Sequence, residues 1–310
     1  MTTVAVYHKS VPNSKNQEKV DLLRFFAQGA RVSGSTVIDV NDHVIQPCDV
    51  AVIQGWIAPW LPTTPHGDLR SRVIKSQLKS ARHVVGVDSN LFLYADTANP
   101  HHYLRYSFNG IFPSTGIYCD HKIDPARWES ISRDLGITLR NYRKDGTHIL
   151  LCMQRNQGWS MGRLDNQKWA VDTIAKIRKY SDRPIVVRLH PGDKETKRIV
   201  KSGAPLCKLK FDYSVLLSHN DNLMDDLKNC WAVVNHNSSP AVGGAIEGYP
   251  VFVTDPANSQ SREIASTDFS TIENPALPNR QAWVERLAMF HWKFDELRSG
   301  ACWAHMRQFI

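Results

Sequence analysis

The chain has no uninterrupted apolar run of the roughly 18–20 residues that a membrane helix needs, so insertion into a bilayer is not expected. No basic stretch precedes an apolar one at the start: Thr3–Tyr7 has the β-branched, apolar character of a strand, not of a signal peptide, and a cytoplasmic protein is expected. The six cysteines (Cys48, Cys119, Cys152, Cys207, Cys230 and Cys302) include no CxxC pair, so neither a zinc ribbon nor a dithiol redox motif is supported. They are expected to be free thiols. There is no GxxxxGK[ST] phosphate loop, no GxSxG nucleophile elbow, no GxGxxG after the first strand and no DxD metal motif. His101 and His102 have no acidic partner at metal-ligand spacing, and no metal is expected. A polybasic tail, low-complexity tracts and short-period repeats are absent too.

What is there is an ordinary globular composition with a basic tilt. Apolar residues make up 42% and charged residues 22% of 310 residues, a length that suggests two domains. Lys and Arg number 38 against 30 Asp and Glu, a formal charge of +8. Such a balance suits a polyanionic partner, nucleic acid or phosphorylated ligands among them, although basic residues spread along a chain also occur without one.

Strand-like and helix-like segments alternate. Thr3–Tyr7, Ser35–Val40, Asp49–Gln54 and His83–Val87 read as strands, with helical spacing over Asn16–Gln28 and Leu69–Ala81. Residues 95–120 read as irregular, and Pro125–Leu135 as a helix. A second series follows, with strands at Thr147–Met153, Pro184–Leu189, Trp231–Asn235 and Pro250–Thr254. Its helices are expected at Asn166–Tyr180, Lys194–Lys201, Asp221–Asn229 and Pro240–Glu247. Trp283, Leu287, Phe290 and Phe294 then mark one long amphipathic helix over Arg280–Arg298. The alternation predicts α/β architecture with two Rossmann-like domains facing a cleft. The polar segment Arg140–Gly146 is the expected boundary: residues 1–143 form the first domain and 144–282 the second, with the helix in 283–310 returning to pack on the first.

The most informative stretch is Leu227–Asp255, a strand, turn, helix, turn and strand. Ser239 suits an N-cap and Pro240 the first helical position. The free N–H groups of such a helix attract anions, and the hydroxyls of Ser238 and Ser239 can add to them. The same pattern is also that of a plain βαβ unit with a serine cap. Arg188 and His190, two apart at the end of a strand, point to one face and could both meet an anion.

Asn237-Ser238-Ser239 followed by Gly248-Tyr249-Pro250-Val251 resembles the nucleotide-sugar half of GT-B-fold glycosyltransferases, in particular the capsule-polysaccharide and Kdo-transferase-like group. Leu223–Leu227 is similar to the helix that precedes the strand in that group, and Arg188-Leu189-His190-Pro191 to its "HP" element. The resemblance spans Thr147–Asp255; the N-terminal half is similar in architecture alone. It implies a second domain that binds a nucleotide-sugar co-substrate, such as a UDP-sugar, with no separate cofactor. The donor's nucleotide and phosphates would be held by Arg155, Arg188, His190, His236, Asn237, Ser238, Ser239 and Glu247. It departs from the group at Gly243, where a glutamate ordinarily holds the donor; Glu247 lies one turn later.

GT-B enzymes draw their general base from the N-terminal half. The resemblance therefore points to Asp88, at the end of His83–Val87, and next to His8, at the end of the first strand. Asp88 could equally cap the turn at Ser89. Lys15 and Asn16 are acceptor-side candidates. Metal-independent stabilisation of the leaving phosphates is implied. Compact size and basic charge are also similar to phage DNA glycosyltransferases, which makes a hydroxymethylated base in double-stranded DNA the first acceptor expected. A surface polysaccharide is the second, and a non-catalytic nucleotide- or DNA-binding role, favoured by Gly243, the third.

Overall fold

The computed structural model describes residues 1–11, 17–57, 64–94, 98–156, 158–162, 164–201 and 214–310. Lys15 and Asn16 lie outside the described residues. The chain divides into two compact units: residues 1–90, 99–134 and 285–310 form the first, residues 91–98 and 135–284 the second.

In the first unit, β1 (Thr3–Tyr7), α1 (Gln17–Val32), β2 (Thr36–Val40), β3 (Val50–Gln54), α2 (Pro65–Lys79) and β4 (His83–Asp88) follow in order. These strands pair parallel, with β1 between β2 and β3. Alternation along β1 sorts its side chains. Val4 and Val6 face the core with Leu22, Leu23 and Phe26 of α1, while Ala5 and Tyr7 face the opposite core with Leu69 and Val73 of α2. Covered on both sides, β1 and β3 carry the continuous apolar runs of parallel strands. The chain leaves β1 toward β2 on one side and reaches β3 on the other, so the carboxyl end of β1 is the topological switch point of this sheet.

Residues 95–120, expected to be irregular, contain β5 (Leu104–Phe108), which runs antiparallel beside β4. The helix α3 (Pro125–Leu135) follows.

The second unit carries β6 (His148–Cys152), α4 (Asn166–Ile177), β7 (Ile185–Arg188), α5 (Lys194–Lys201), β8 (Val215–Leu217), α6 (Leu223–Leu227), β9 (Cys230–Asn235), α7 (Pro240–Ile246) and β10 (Val251–Val253). Its sheet is wholly parallel, in the order β10-β9-β6-β7-β8. Ile149 and Leu151 pack with Trp169, Ala170 and Ile177 of α4 on one face. On the other, α7 lies so close to β9 that a Cβ on Gly244 would stand 2.7 Å from Val233. The chain runs from β6 outward through β7 to β8 and then crosses to β9 on the other side of β6, so the strand order reverses at the carboxyl ends of β6 and β9, next to that of β7.

The C-terminal region departs from the single helix expected over Arg280–Arg298. It forms α8 (Gln281–Ala288), β11 (His291–Trp292), α9 (Phe294–Arg298) and α10 (Ala301–Met306). Phe290, His291 and Trp292 are all buried in succession, which a helix presenting one face cannot achieve. β11 pairs with the free edge of β5, and Tyr106 N–H donates to Phe290 O at 2.9 Å. The helix restarts after Lys293, whose N–H is capped by the Glu296 carboxylate at 3.0 Å. Trp292, Phe294, Leu297 and Trp303 join the α1 core. Gly29 makes the α1–α9 approach possible: a Cβ there would fall 1.8 Å from Leu297 O.

Among the described residues, no helix is long and apolar enough to cross a membrane.

Candidate functional site

The second unit holds a cavity of about 340 Å³ at the carboxyl ends of β6, β7 and β9. Its polar lining includes His190, Asn222, Ser238 and Ser239; its apolar lining includes Tyr94 and Leu223. A second cavity, of about 250 Å³, shares Arg188, Leu189, Pro191 and Asp221 with it and adds Lys197 and Ser218.

His190 follows β7 directly. Gly192 N–H donates to its Nδ1 at 3.0 Å, so the neutral ring carries its proton on Nε2, as a donor. Burial, and then the nearby Arg155 guanidinium, hold its pKa below the usual histidine value. Arg155 is exposed on the loop after β6. One buried carboxylate ties the two loops together. Asp193 accepts the Asn156 N–H at 2.9 Å, the Thr196 N–H at 3.0 Å and the Thr196 hydroxyl at 2.8 Å. Burial opposes its charge, but these donors prevail and its pKa lies below the ordinary carboxylate value.

Arg188 lines both cavities, and four acceptors of the protein already hold its Nη1 and Nη2. It donates to Asp226 Oδ2 at 2.5 Å, to the carbonyls of Asn220 and Asn222 at 3.0 Å each, and to that of Asp221 at 2.8 Å. Asp226 in turn accepts from the Ser218 hydroxyl at 2.6 Å and Asn220 Nδ2 at 2.7 Å. The pair folds the 218–226 loop into the wall that the cavities share.

At the N-terminus of α7, Ser239 occupies the cap position but makes no side-chain cap bond. Its backbone is already helical (φ −60°, ψ −24°), a geometry from which the hydroxyl does not reach back to the next turn's N–H groups. Both serines line the cavity. Asn235 Nδ2 fixes this turn by donating to Ser238 O at 2.7 Å and to Ser238 Oγ at 3.1 Å.

His236 and Asn237 are built into a buried network. Thr254 Oγ1 lies 2.8 Å from Trp169 Nε1 and 2.7 Å from His236 Nδ1. Asn237 donates through its backbone N–H to Gln154 Oε1 at 3.0 Å, and through Nδ2 to Ser160 O at 3.1 Å and Asp255 Oδ2 at 2.8 Å. Burial, partly offset by Asp255, holds the His236 pKa low. Glu247 sits at the opposite end of α7, buried, and accepts the Tyr94 hydroxyl at 3.1 Å. The structure thus brings His190, Ser238 and Ser239 to one cavity, leaves Glu247 out of its lining at the far end of α7, and engages Arg188, His236 and Asn237 in bonds within the protein.

In the first unit, His8 lies at the sheet's switch point, with Nε2 2.8 Å from Asp39 Oδ1. Arg31 also binds Asp39. Asp88, at the end of β4, pairs with Arg105 of β5 at 2.5 Å and accepts the Ser89 N–H at 2.7 Å. Among the described residues, no three His, Cys, Asp or Glu side chains are grouped to hold a metal.

No family model matches the sequence. No curated protein matches it. Solved structures do. The β-Kdo 2,4-transferase of Thermosulfurimonas dismutans KpsC aligns at a TM-score of 0.54 and 14% identity, over 93% of this chain and 90% of that one. The β-Kdo 2,7-transferase of the same protein aligns at 0.51 and 11% identity, over 100% of each chain. A UDP-GlcNAc 2-epimerase of Methanocaldococcus jannaschii, solved with UDP-GlcNAc and UDP, is more distant, at 0.33 and 12% identity over 99% of each chain.

The fold is GT-B-like.

In this GT-B-like chain the larger cavity lies where open parallel sheets hold ligands, outside the carboxyl ends of strands at a switch point. Three of its important residues carried no signal in the sequence. Tyr94 is a single aromatic beside a segment without periodicity. Asp193 follows a Pro-Gly turn as any loop aspartate could. Asp226 lies 38 positions from Arg188, the partner it neutralises.

Proposed function

We propose that this chain is a metal-independent glycosyltransferase of the cytoplasm, moving a sugar from a nucleotide-sugar donor to a hydroxyl of a surface-polysaccharide glycan. The observation that carries the reading is the cavity at the β6–β7–β9 strand ends, whose lining combines the polar His190, Ser238 and Ser239 with the apolar Tyr94, Leu223 and Pro240. That mixture suits a nucleotide: phosphates on the donors, rings on the apolar side chains. The likeness of fold to two Kdo transferases supports the same class of reaction.

The second unit binds the donor. Nε2–H of His190, the exposed Arg155 and the two serine hydroxyls stabilise charge as the phosphate leaves. Arg188 contributes by shape, since its guanidinium is already neutralised by Asp226. On the first unit, the acceptor's proton passes to His8. Asp39 accepts Nε2–H and so leaves Nδ1 as the basic nitrogen, the arrangement of a base oriented by a carboxylate. Asp88 is the weaker candidate, because its carboxylate is already paired with Arg105 and accepts the Ser89 N–H.

A hydroxymethylated base in DNA is the second reading of the acceptor and rests on the +8 charge. Both readings meet one experiment. Thermal stability is measured against nucleoside mono- and diphosphates and their sugar conjugates, with and without hydroxymethylated duplex DNA. A ligand at 100 times its Kd adds about 2.7 kcal/mol, readily seen as a shift. A shift with one nucleotide series, followed by sugar transfer to a glycan, is the expected result. No shift with any nucleotide defeats the donor site. Salt-sensitive stabilisation by the DNA, with transfer to it, moves the acceptor to the second reading.

A further inference from the structure

Tyr94 is 7% exposed, yet it forms part of the cavity lining beside Leu93, Ser238, Ser239 and Pro240. Its ring is held at two points. The hydroxyl donates to the buried Glu247 carboxylate at 3.1 Å, across 153 residues of sequence. The ring carbons rest against Gly243, where a Cβ would come within 2.6 Å of Cγ, 2.8 Å of Cβ and 2.9 Å of Cδ2. Any side chain at 243 would therefore displace the ring. Burial, and next the Glu247 charge, push the phenol's pKa up, so it stays a donor.

Gly243 and Glu247, one helical turn apart on α7, thus form a socket for one aromatic ring. A tyrosine needed only to fill the core would have no reason to edge the cavity; one needed only for its hydroxyl would tolerate a side chain at 243. Leu93, Tyr94, Leu223 and Pro240 give the cavity apolar lining in addition to its polar residues. Aromatic faces take flat or puckered rings through their broad contact, and a ring locked in place loses little freedom on binding.

We propose that Tyr94 is a specificity-determining residue of the donor site, the surface against which the nucleoside of the donor packs, with Gly243 and Glu247 as the residues that position it. The proposal rests on the donor-site reading above and adds a division of labour: rings on Tyr94, phosphates on the polar end.

The experiment compares binding of UDP, CMP and inorganic pyrophosphate to the full chain and its variants. Tyr94→Ala should weaken the nucleotide that binds wild type by tenfold or more and leave pyrophosphate within about twofold, since pyrophosphate has no ring to lose. Tyr94→Phe keeps the ring and should stay within about threefold for all probes. Gly243→Ala retains every side chain but displaces the ring, and should follow Tyr94→Ala; it serves where Tyr94→Ala does not fold. Equal losses of nucleotide and pyrophosphate, or none in Tyr94→Ala and Gly243→Ala, overturn the role of Tyr94 while leaving the donor site standing. Failure of wild type to bind either nucleotide overturns both.

Discussion

His8 Nε2 lies 2.8 Å from Asp39 Oδ1, at the point where the first sheet's connections diverge. If this pair takes up the acceptor proton, His8→Ala should lower kcat by about 10²–10⁴-fold with the Kd for nucleotide unchanged. Asp39→Asn should cost less and alter the acidic limb of the pH profile. A His8→Ala enzyme with wild-type turnover excludes the role. Asp39 also has a stability signature. Burial opposes its charge, but the bonds from His8 and Arg31 hold its pKa below the ordinary carboxylate value. A depressed carboxylate stabilises the fold above its unfolded pKa, near 4, and loses that contribution as pH falls through the lower folded value. Urea melts should therefore show the gap between wild type and Asp39→Asn closing below about pH 4.

Arg188 and Asp226 form the most buried ion pair described here, with side chains 9% and 1% exposed. Removing one partner strands the other. Arg188→Ala is expected to cost about 3–5 kcal/mol, because Asp226 is left charged and unneutralised. Arg188→Met combined with Asp226→Leu should recover much of that loss. Chemical denaturation gives the stabilities, and nucleotide titration of the double variant separates two roles. Recovered binding means that Arg188 shapes the cavity. Lost binding in a stable double variant means that its guanidinium meets the phosphates.

These two pairs show what could be read along the chain and what could not. Strands β1, β3, β6 and β9 are continuous apolar runs because both faces of a parallel sheet are covered, and that burial is written locally. His190, Ser238 and Ser239 were legible because they follow such strands directly. The engagement of Arg188 was not, since the sequence displays its charge and not the four groups that accept from it. Tyr94 was missed because a lone aromatic outside any period has no face to belong to. The tail misled for the opposite reason. Trp283, Leu287, Phe290 and Phe294 do fall at helical spacing, but Tyr106 N–H and the open edge of β5 capture Phe290–Trp292 as extended chain.

His291 should dominate part of the acid sensitivity of the first unit. It is fully buried, its Nδ1–H donates to Leu287 O at 2.7 Å, and burial pushes its pKa down to about 3. An unfolded histidine titrates near 6.5. Between these values the unfolded chain holds a proton that the native state refuses, so stability falls as pH drops. One proton corresponds to a slope of about 1.4 kcal/mol per pH unit. His291→Asn keeps an amide donor for Leu287 O and removes the titration. Stability measured from pH 6 to pH 4 should fall less steeply in the variant by about that slope. Parallel curves would show that His291 takes up its proton in the native state as well.

Asp193 offers a test of how the polar end of the cavity is held. Its carboxylate joins the loop after β6 to the start of α5 by accepting from Asn156 and Thr196, behind the lining residue His190, whose carbonyl accepts the Asp193 N–H at 3.0 Å. Asp193→Ala removes the acceptor of the buried Thr196 N–H, at a cost of about 1–3 kcal/mol, and of the half-buried Asn156 N–H. It also releases Arg155 and His190 from a common frame. Nucleotide affinity should then fall by about tenfold although both proposed phosphate ligands remain in place, an effect at the low end of the 10–100-fold losses seen when residues that orient metal ligands are removed. Asp193→Asn keeps one acceptor oxygen and should lie between wild type and the alanine variant in both stability and affinity. The decisive comparison is the double variant Asp193→Ala with His190→Ala. If Asp193 acts by placing His190, removing it after His190 is gone should weaken nucleotide binding much less than it does in the wild-type background. Full additivity of the two losses would mean that the carboxylate and the imidazole serve the site independently.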